Sequence, residues 1–194
     1  DFTAFFQKYY TKFDSDKNIN NLLEQIKSRL HPRDVIRTIV SYIGESEKKS
    51  DLEATTQISA AVAYVIASYN DSKTSELNDE YTVASSMLSD EASKDQLQAL
   101  DDILILYAEH GFNASTFATR VTGSTRSDLT SSIVSGIGTL KGELHGGANV
   151  RAVELINSFQ DVEDAATGVM KMLDEKKKIM GFGHGVYKIQ DPRS

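Results

Sequence analysis

Apolar residues recur at helical spacing along most of the chain. Phe2, Phe5, Phe6, Tyr9, Tyr10 and Phe13 fall at i, i+3, i+4, i+7, i+8 and i+11, a single aromatic face suited to core or interface packing. Leu22, Leu23, Ile26 and Leu30 mark a second, shorter helix, interrupted at His31-Pro32 because the residue before proline avoids helical angles. Val35, Ile36, Ile39, Val40 and Ile43 form a third apolar face, stopped by Gly44. Ile58, Ala61, Val62, Val65, Ile66 and Tyr69 form a fourth. The polar stretch from Asn70 to Asp79 reads as a loop, and Leu77, Tyr81, Ala84 and Leu88 suggest one more short helix. Leu97, Leu100, Ile103, Leu104 and Tyr107 predict a helix ending near His110-Gly111. From Ser115 to Leu140 the chain is rich in Ala, Ser, Thr and Gly, which let helices approach closely, so this stretch is expected to be buried or at a subunit interface. Gly136 and Gly138 weaken its intrinsic helix propensity, leaving packing to hold it. After Asn149, Val153, Leu155, Ile156 and Phe159 predict another helix. Asp161 resembles an N-cap before Val162, Ala165, Ala166, Val169, Met170 and Leu173. No strand pattern of comparable length and no internal repeat is present, so the expected fold class is all-α.

Composition narrows the function without choosing it. A chain of 194 residues suffices for one domain, or one domain and part of a second. The formal net charge of −7 disfavours nucleic acid or an anionic membrane as the main partner, while leaving room for a locally basic pocket. With no cysteine, thiolate chemistry and disulfides are excluded, and a cytoplasmic location is the expectation. No apolar run approaches the ~18–20 residues of a membrane span. The N-terminal Asp1-Phe2-Thr3-Ala4 has neither the pattern of a signal peptide nor a Met, so the natural start is expected elsewhere.

Three of the four histidines keep unusual company. His110 lies in Glu109-His110-Gly111-Phe112-Asn113-Ala114-Ser115-Thr116, His145 in Gly142-Glu143-Leu144-His145-Gly146-Gly147-Ala148-Asn149, and His184 in Gly181-Phe182-Gly183-His184-Gly185. Seven of the 12 glycines fall within four residues of one of these three, and glycine serves where backbone bends sharply or approaches a ligand. His145 and His184 are therefore expected on tight turns at helix ends. A single such site reads equally as a capping histidine beside a C-cap glycine; two together point to chemistry. A three-histidine zinc site is a weak alternative, since no two histidines share a helical turn and no His-Glu-x-x-His pair exists. No metal is expected. A serine hydrolase lacks its Gly-x-Ser-x-Gly elbow. Gly181-x-Gly183-x-Gly185 lacks the spacing and the preceding strand of a dinucleotide fingerprint.

The runs His145-Gly146-Gly147-Ala148-Asn149, Gly181-Phe182-Gly183-His184 and Asp191-Pro192-Arg193 resemble motifs of the citrate synthase family, in its order and at about its spacing. His110 with Phe112 to Thr116 matches another motif, and His31-Pro32-x-Asp34-Val35-Ile36-Arg37-Thr38 a non-catalytic one. The resemblance extends from about Leu22 to Ser194. It implies a multi-helical fold with a large domain, here residues 1–149 including dimer-interface helices, and the start of a small domain, residues 150–194. It implies an acyltransferase of the tricarboxylic acid cycle. That enzyme condenses acetyl-CoA with oxaloacetate to give citrate and CoA, works as a homodimer, uses coenzyme A thioester as co-substrate and keeps no permanently bound cofactor. The alternatives are a 2-methylcitrate synthase using propionyl-CoA, or a relative that only binds or dimerises. In this resemblance His145 hydrogen-bonds the thioester oxygen as the enol forms. His184 polarises the ketone of oxaloacetate and protonates the new alkoxide. His110 and Arg193 bind its carboxylates, arginine as a bidentate fork. Met180, Gly181, Phe182 and Gly183 match the loop that recognises the CoA adenine, and Lys188 a cation near the CoA phosphates. The run Lys176-Lys177-Lys178 reads as a solvated helix end.

Several positions depart from the family pattern. Gly185 stands where Arg or Pro is usual, Glu143 where Pro is common, Gly111 where an acidic residue is common and Arg33 where Met is common. The general-base Asp and two further substrate arginines of the family lie beyond the matched segment. The 194-residue chain alone is therefore expected not to be a complete catalyst.

Overall fold

The computed structural model describes residues 1–44, 50–70, 82–108, 111–183 and 189. Every regular element among them is an α-helix, in agreement with the all-α expectation. The chain divides into two compact units, residues 1–138 and 139–194.

The first unit is built on the aromatic helix. Helix α1 (Phe2–Ser15) starts at Asp1, whose carboxylate accepts from the Thr3 amide at 2.9 Å. Phe6, Tyr9, Tyr10 and Phe13 are all buried, so the aromatic face is core packing. Their rings stack along the helix, Phe6 on Tyr10 at 6.0 Å and Tyr9 on Phe13 at 6.4 Å between centroids. The partner is α4 (Asp51–Ala67), where Ala60, Ala61, Ala63 and Val65 present little side chain and let the two helix axes approach. Tyr10 meets Tyr64 of α4 edge-on at 5.6 Å. Tyr9 Oη donates to Glu53 Oε1 at 2.7 Å, and Tyr10 Oη to the Ser86 carbonyl at 3.2 Å, so both phenols keep a partner on burial.

Around this pair lie α2 (Lys17–Lys27), α3 (Pro32–Ile43), α5 (Thr82–Met87) and α6 (Lys94–Leu106). His31, the histidine without a glycine-rich context, is the N-cap of α3. Its Nδ1 accepts from the Arg33 amide at 3.2 Å, and Pro32 occupies the first helical position, where a missing N–H costs nothing. Gly44 ends α3 at φ +51°, a left-handed conformation that favours glycine. Several helix ends differ from the sequence reading, and Tyr69, counted in the fourth apolar face, lies past the end of α4 and is 39% exposed. Helix α2 stops at Lys27, and Leu30, counted in its apolar face, is 41% exposed in the turn before His31. Helix α6 stops at Leu106, before His110, and Tyr107 caps it from an exposed position. Most of the Asn70–Asp79 stretch, with Leu77 and Tyr81, lies outside the described residues.

The small-residue stretch is two helices, α7 (Ala114–Ser124) and α8 (Leu129–Leu140), separated by a turn in which Arg126 takes φ +63°. The Asn113 side chain caps α7 by accepting from the Thr116 amide at 2.9 Å. The Asp128 carboxylate accepts from both the amide and the hydroxyl of Ser131, at 2.7 Å each, which holds it below the usual carboxylate range. The helices cross where side chains are smallest. A β-carbon at Gly136 would collide with Thr119 Oγ1 and stand 3.5 Å from the Ser115 carbonyl.

Tyr64 supplies a pH dependence. Burial, reinforced by the charge of Asp14, pushes its phenol up to about 12. The folded state thus holds this proton more tightly than the unfolded chain, whose tyrosine titrates near 10. Its contribution is fully present below about pH 10 and is lost as pH rises from about 10 to about 12. Urea unfolding of parent and Tyr64→Phe should show a difference in stability that is constant below pH 10 and changes only within that window.

The second unit begins in the last turn of α8 and contains α9 (Gly147–Asn157) and α10 (Val162–Asp174). Asp161 is the N-cap of α10, accepting from the Asp164 amide at 2.9 Å, as its sequence context suggested. Phe159 lies over Gly168, where a β-carbon would stand 2.5 Å from Phe159 Cε1 and 3.3 Å from Cδ1. Gly168→Ala should therefore destabilise this unit by about 1–3 kcal/mol, the usual cost of overpacking, despite the better helix propensity of alanine. Urea denaturation measures it, and a net gain in stability would show that the ring moves aside freely. Lys177 pairs with Glu175 at 2.6 Å, and the exposed Lys176-Lys177-Lys178 run is a solvated helix end. No described helix is long and apolar enough to cross a membrane.

Candidate active site

The second unit gathers five of the nine sequence-derived site residues around one helix. α9 opens at Gly147, two residues earlier than the sequence suggested, so Ala148 and Asn149 lie inside its first turn. His145 is then separated from the helix only by Gly146, which occupies the N-cap and gives no side-chain cap. The turn is held by the Gly142 carbonyl, which accepts from the amides of both His145 and Gly146 at 3.0 Å. A second bond, Gly142 N–H to the Thr139 carbonyl at 3.1 Å, joins the turn to the end of α8. The His145 side chain is half-buried. The residue itself stands two positions before the first helical residue of α9, next to the positive end of the helix dipole.

The run Met180, Gly181, Phe182 and Gly183 returns to the same helix at Gly181. A β-carbon at Gly181 would touch Ala152 Cβ of α9 at 3.5 Å. Ala152 lies five residues beyond Gly147, roughly 7.5 Å along the axis. Gly181 (φ +94°) and Gly183 (φ +83°) both take left-handed conformations, which explains the glycines of this run. Phe182 between them is 81% exposed, an aromatic ring presented to solvent on a sharply bent loop.

Four site residues, His110, His184, Lys188 and Arg193, lie outside the described residues. The part of the His110 motif that is described belongs to the first unit. Gly111 takes φ +56°, and Phe112 packs edge-on against Phe117 at 5.6 Å, with the Arg120 guanidinium over its ring at 5.2 Å. Among the described residues no group of three or more His, Asp or Glu could hold a metal ion.

Sequence reasoning missed one feature of the His145 turn, an ion pair between Glu143 and Arg151. Arg151 drew no attention because the pair is not at helical spacing. Its partner was noticed only as a substitute for proline.

Residues 1–194 match the family described as "Citrate synthase, C-terminal domain". The chain is 37% identical to the 2-methylcitrate synthase of Shewanella oneidensis, over 99% of this chain and 56% of that protein. It is 35% identical to the citrate synthase of Deinococcus radiodurans, over 94% of this chain and 55% of that one. Among solved structures it is similar to the citrate synthase of Thermoplasma acidophilum, determined as a ternary complex with carboxymethyl coenzyme A and oxaloacetate. The TM-score is 0.73 and the identity 28%, over 98% of this chain and 53% of that chain. The chain thus spans about half the length of the proteins it matches.

Proposed function

The chain belongs to the citrate synthase family, and from that premise we propose that it contributes to an enzyme that condenses acetyl-CoA with oxaloacetate to give citrate and CoA. The observation that carries this reading is the convergence on α9 of the His145 turn and the Met180–Gly183 loop. One end of that helix then offers a donor for a developing enolate oxygen, and a point further along offers a bent, glycine-rich loop for the CoA adenine. A methyl group next to a thioester is a very weak carbon acid, so its proton leaves only if the oxygen that gains charge is stabilised in place. His145 supplies the donor. His184 donates to the ketone oxygen of oxaloacetate as the new carbon–carbon bond forms, and leaves its proton on the alkoxide. His110 and Arg193 hold the carboxylates, and Lys188 meets the CoA phosphates. Water then cleaves the thioester and CoA departs as the free thiol. The α-proton requires a carboxylate base, which the family supplies outside the segment matched here.

The division into a large domain to residue 149 and a small domain from 150 belongs to the same reading, as do a homodimer and a cytoplasmic location. Exposed Phe117 and Val121, one turn apart on α7, support the dimer as apolar side chains that a partner surface would cover. A second reading, a 2-methylcitrate synthase, is favoured by the Shewanella oneidensis relative. The ratio of kcat/KM for acetyl-CoA to that for propionyl-CoA, measured on the full-length protein with oxaloacetate, separates the two. A ratio above one supports citrate synthesis, and a ratio below one replaces it with the second reading.

A further inference from the structure

We propose that Glu143 and Arg151 are positioning residues for His145, an ion pair that holds the His145 turn against the start of α9. The inference rests on the role given to His145 above. Glu143 stands two residues before His145, and Arg151 stands six after it in the second turn of α9. Arg151 Nη2 donates to Glu143 Oε1. The partners are eight residues apart, so neither helix geometry nor chain proximity brings them together. They meet only when the turn between them is formed.

The turn needs such a tie. Gly142, Gly146 and Gly147 give it more backbone freedom than any other residues would, and its N-cap contributes no side-chain bond. The stem of Glu143 runs directly over the helix start, and a β-carbon at Gly147 would stand 3.7 Å from Glu143 Cγ. The carboxylate also lies near the positive end of the α9 dipole, a favourable place for negative charge. The tie fixes the segment from which the imidazole projects, so the donor is already in place when charge develops on the thioester oxygen.

Both side chains are largely exposed, 73% for Glu143 and 50% for Arg151, so the effect is modest and screened by salt. In the full-length protein at saturating substrates, Glu143→Gln and Arg151→Met should each lower kcat by up to about five-fold, the limit set by an exposed pair. KM for oxaloacetate should stay close to the parent value. The double variant Glu143→Gln/Arg151→Met should be no slower than either single one, and the charge swap Glu143→Arg/Arg151→Glu should recover at least half of the loss. Raising salt should bring the parent kcat down to that of the single variants and leave theirs unchanged. A merely structural role would move thermal stability and leave kcat at the parent value wherever the protein is folded. Parental kcat in both single variants, or losses that add in the double variant, would overturn the inference. An unchanged kcat in His145→Ala would instead overturn the role of His145 itself, so the two failures are distinguishable.

Discussion

Replacing His145 with alanine in the full-length protein is expected to lower kcat by about 10²–10³-fold, the usual scale for losing one donor aimed at a developing oxyanion. Oxaloacetate affinity should be nearly unchanged, because its carboxylates are assigned to His110 and Arg193. The split follows from geometry. His145 sits in a turn tied by two amides to the Gly142 carbonyl and abuts the first turn of α9. A donor fixed in this way gains most from charge that appears only in the transition state, so its loss falls on the rate rather than on binding. Steady-state kinetics together with titration calorimetry measure the two quantities separately. A loss confined to oxaloacetate affinity would move His145 from the thioester to the 2-oxo acid.

The largest effect on stability is expected at Phe6. Its side chain is fully buried between Phe2 and Tyr10, with centroids at 5.9 and 6.0 Å, on the face of α1 that packs against α4. Phe6→Ala removes the ring from a site that two stiff helices prevent from collapsing, and should cost about 3–5 kcal/mol. That is a large part of the ~5–15 kcal/mol that holds a typical domain. Phe2→Ala, four residues earlier on a more exposed position, should cost far less. Urea denaturation of the two variants provides the comparison. Equal losses would mean that the aromatic stripe acts as a whole surface and not through its buried ring.

The contrast between Phe2 and Phe6 shows what the sequence could and could not convey. The period of apolar residues placed α1 and α3 correctly because each buries a continuous face, and burial is what the period records. It misjudged the ends of α2, α4, α6 and α9, where Leu30, Tyr69, Tyr107 and Phe159 lie past the last helical residue. Leu30 and Tyr107 continue the apolar spacing, yet both lie past the last helical turn and face solvent. Helix ends are decided by capping and by the turn that follows, which hydrophobic spacing does not register. Asp161 was legible for the complementary reason, since a cap residue carries its own chemistry in its side chain. The start of α9 was not, because a glycine N-cap leaves no such mark.

The site divides in the same way. The resemblance to the family pointed to His145 and to Met180–Gly183, and in the fold His145 stands just before α9 and Gly181 meets it at Ala152. Positive φ at Gly181 and Gly183 gives the physical reason for those glycines. His110, His184, Lys188 and Arg193 were singled out by the same reasoning and fall outside the described residues. The Glu143–Arg151 pair was invisible to pattern reading. Charges eight residues apart across a turn match neither the i,i+3 nor the i,i+4 rule, and only the folded turn makes them neighbours.

The central claim is that this chain carries the groups that bind and activate a CoA thioester toward a 2-oxo acid. Release of free thiol from acetyl-CoA by the full-length protein, followed with and without oxaloacetate, tests it most directly. Thiol release is expected to require oxaloacetate, to yield one citrate per thiol and to be nearly abolished by His145→Ala. Thiol release at the same rate without oxaloacetate, or none with either acetyl-CoA or propionyl-CoA when oxaloacetate is present, would contradict it.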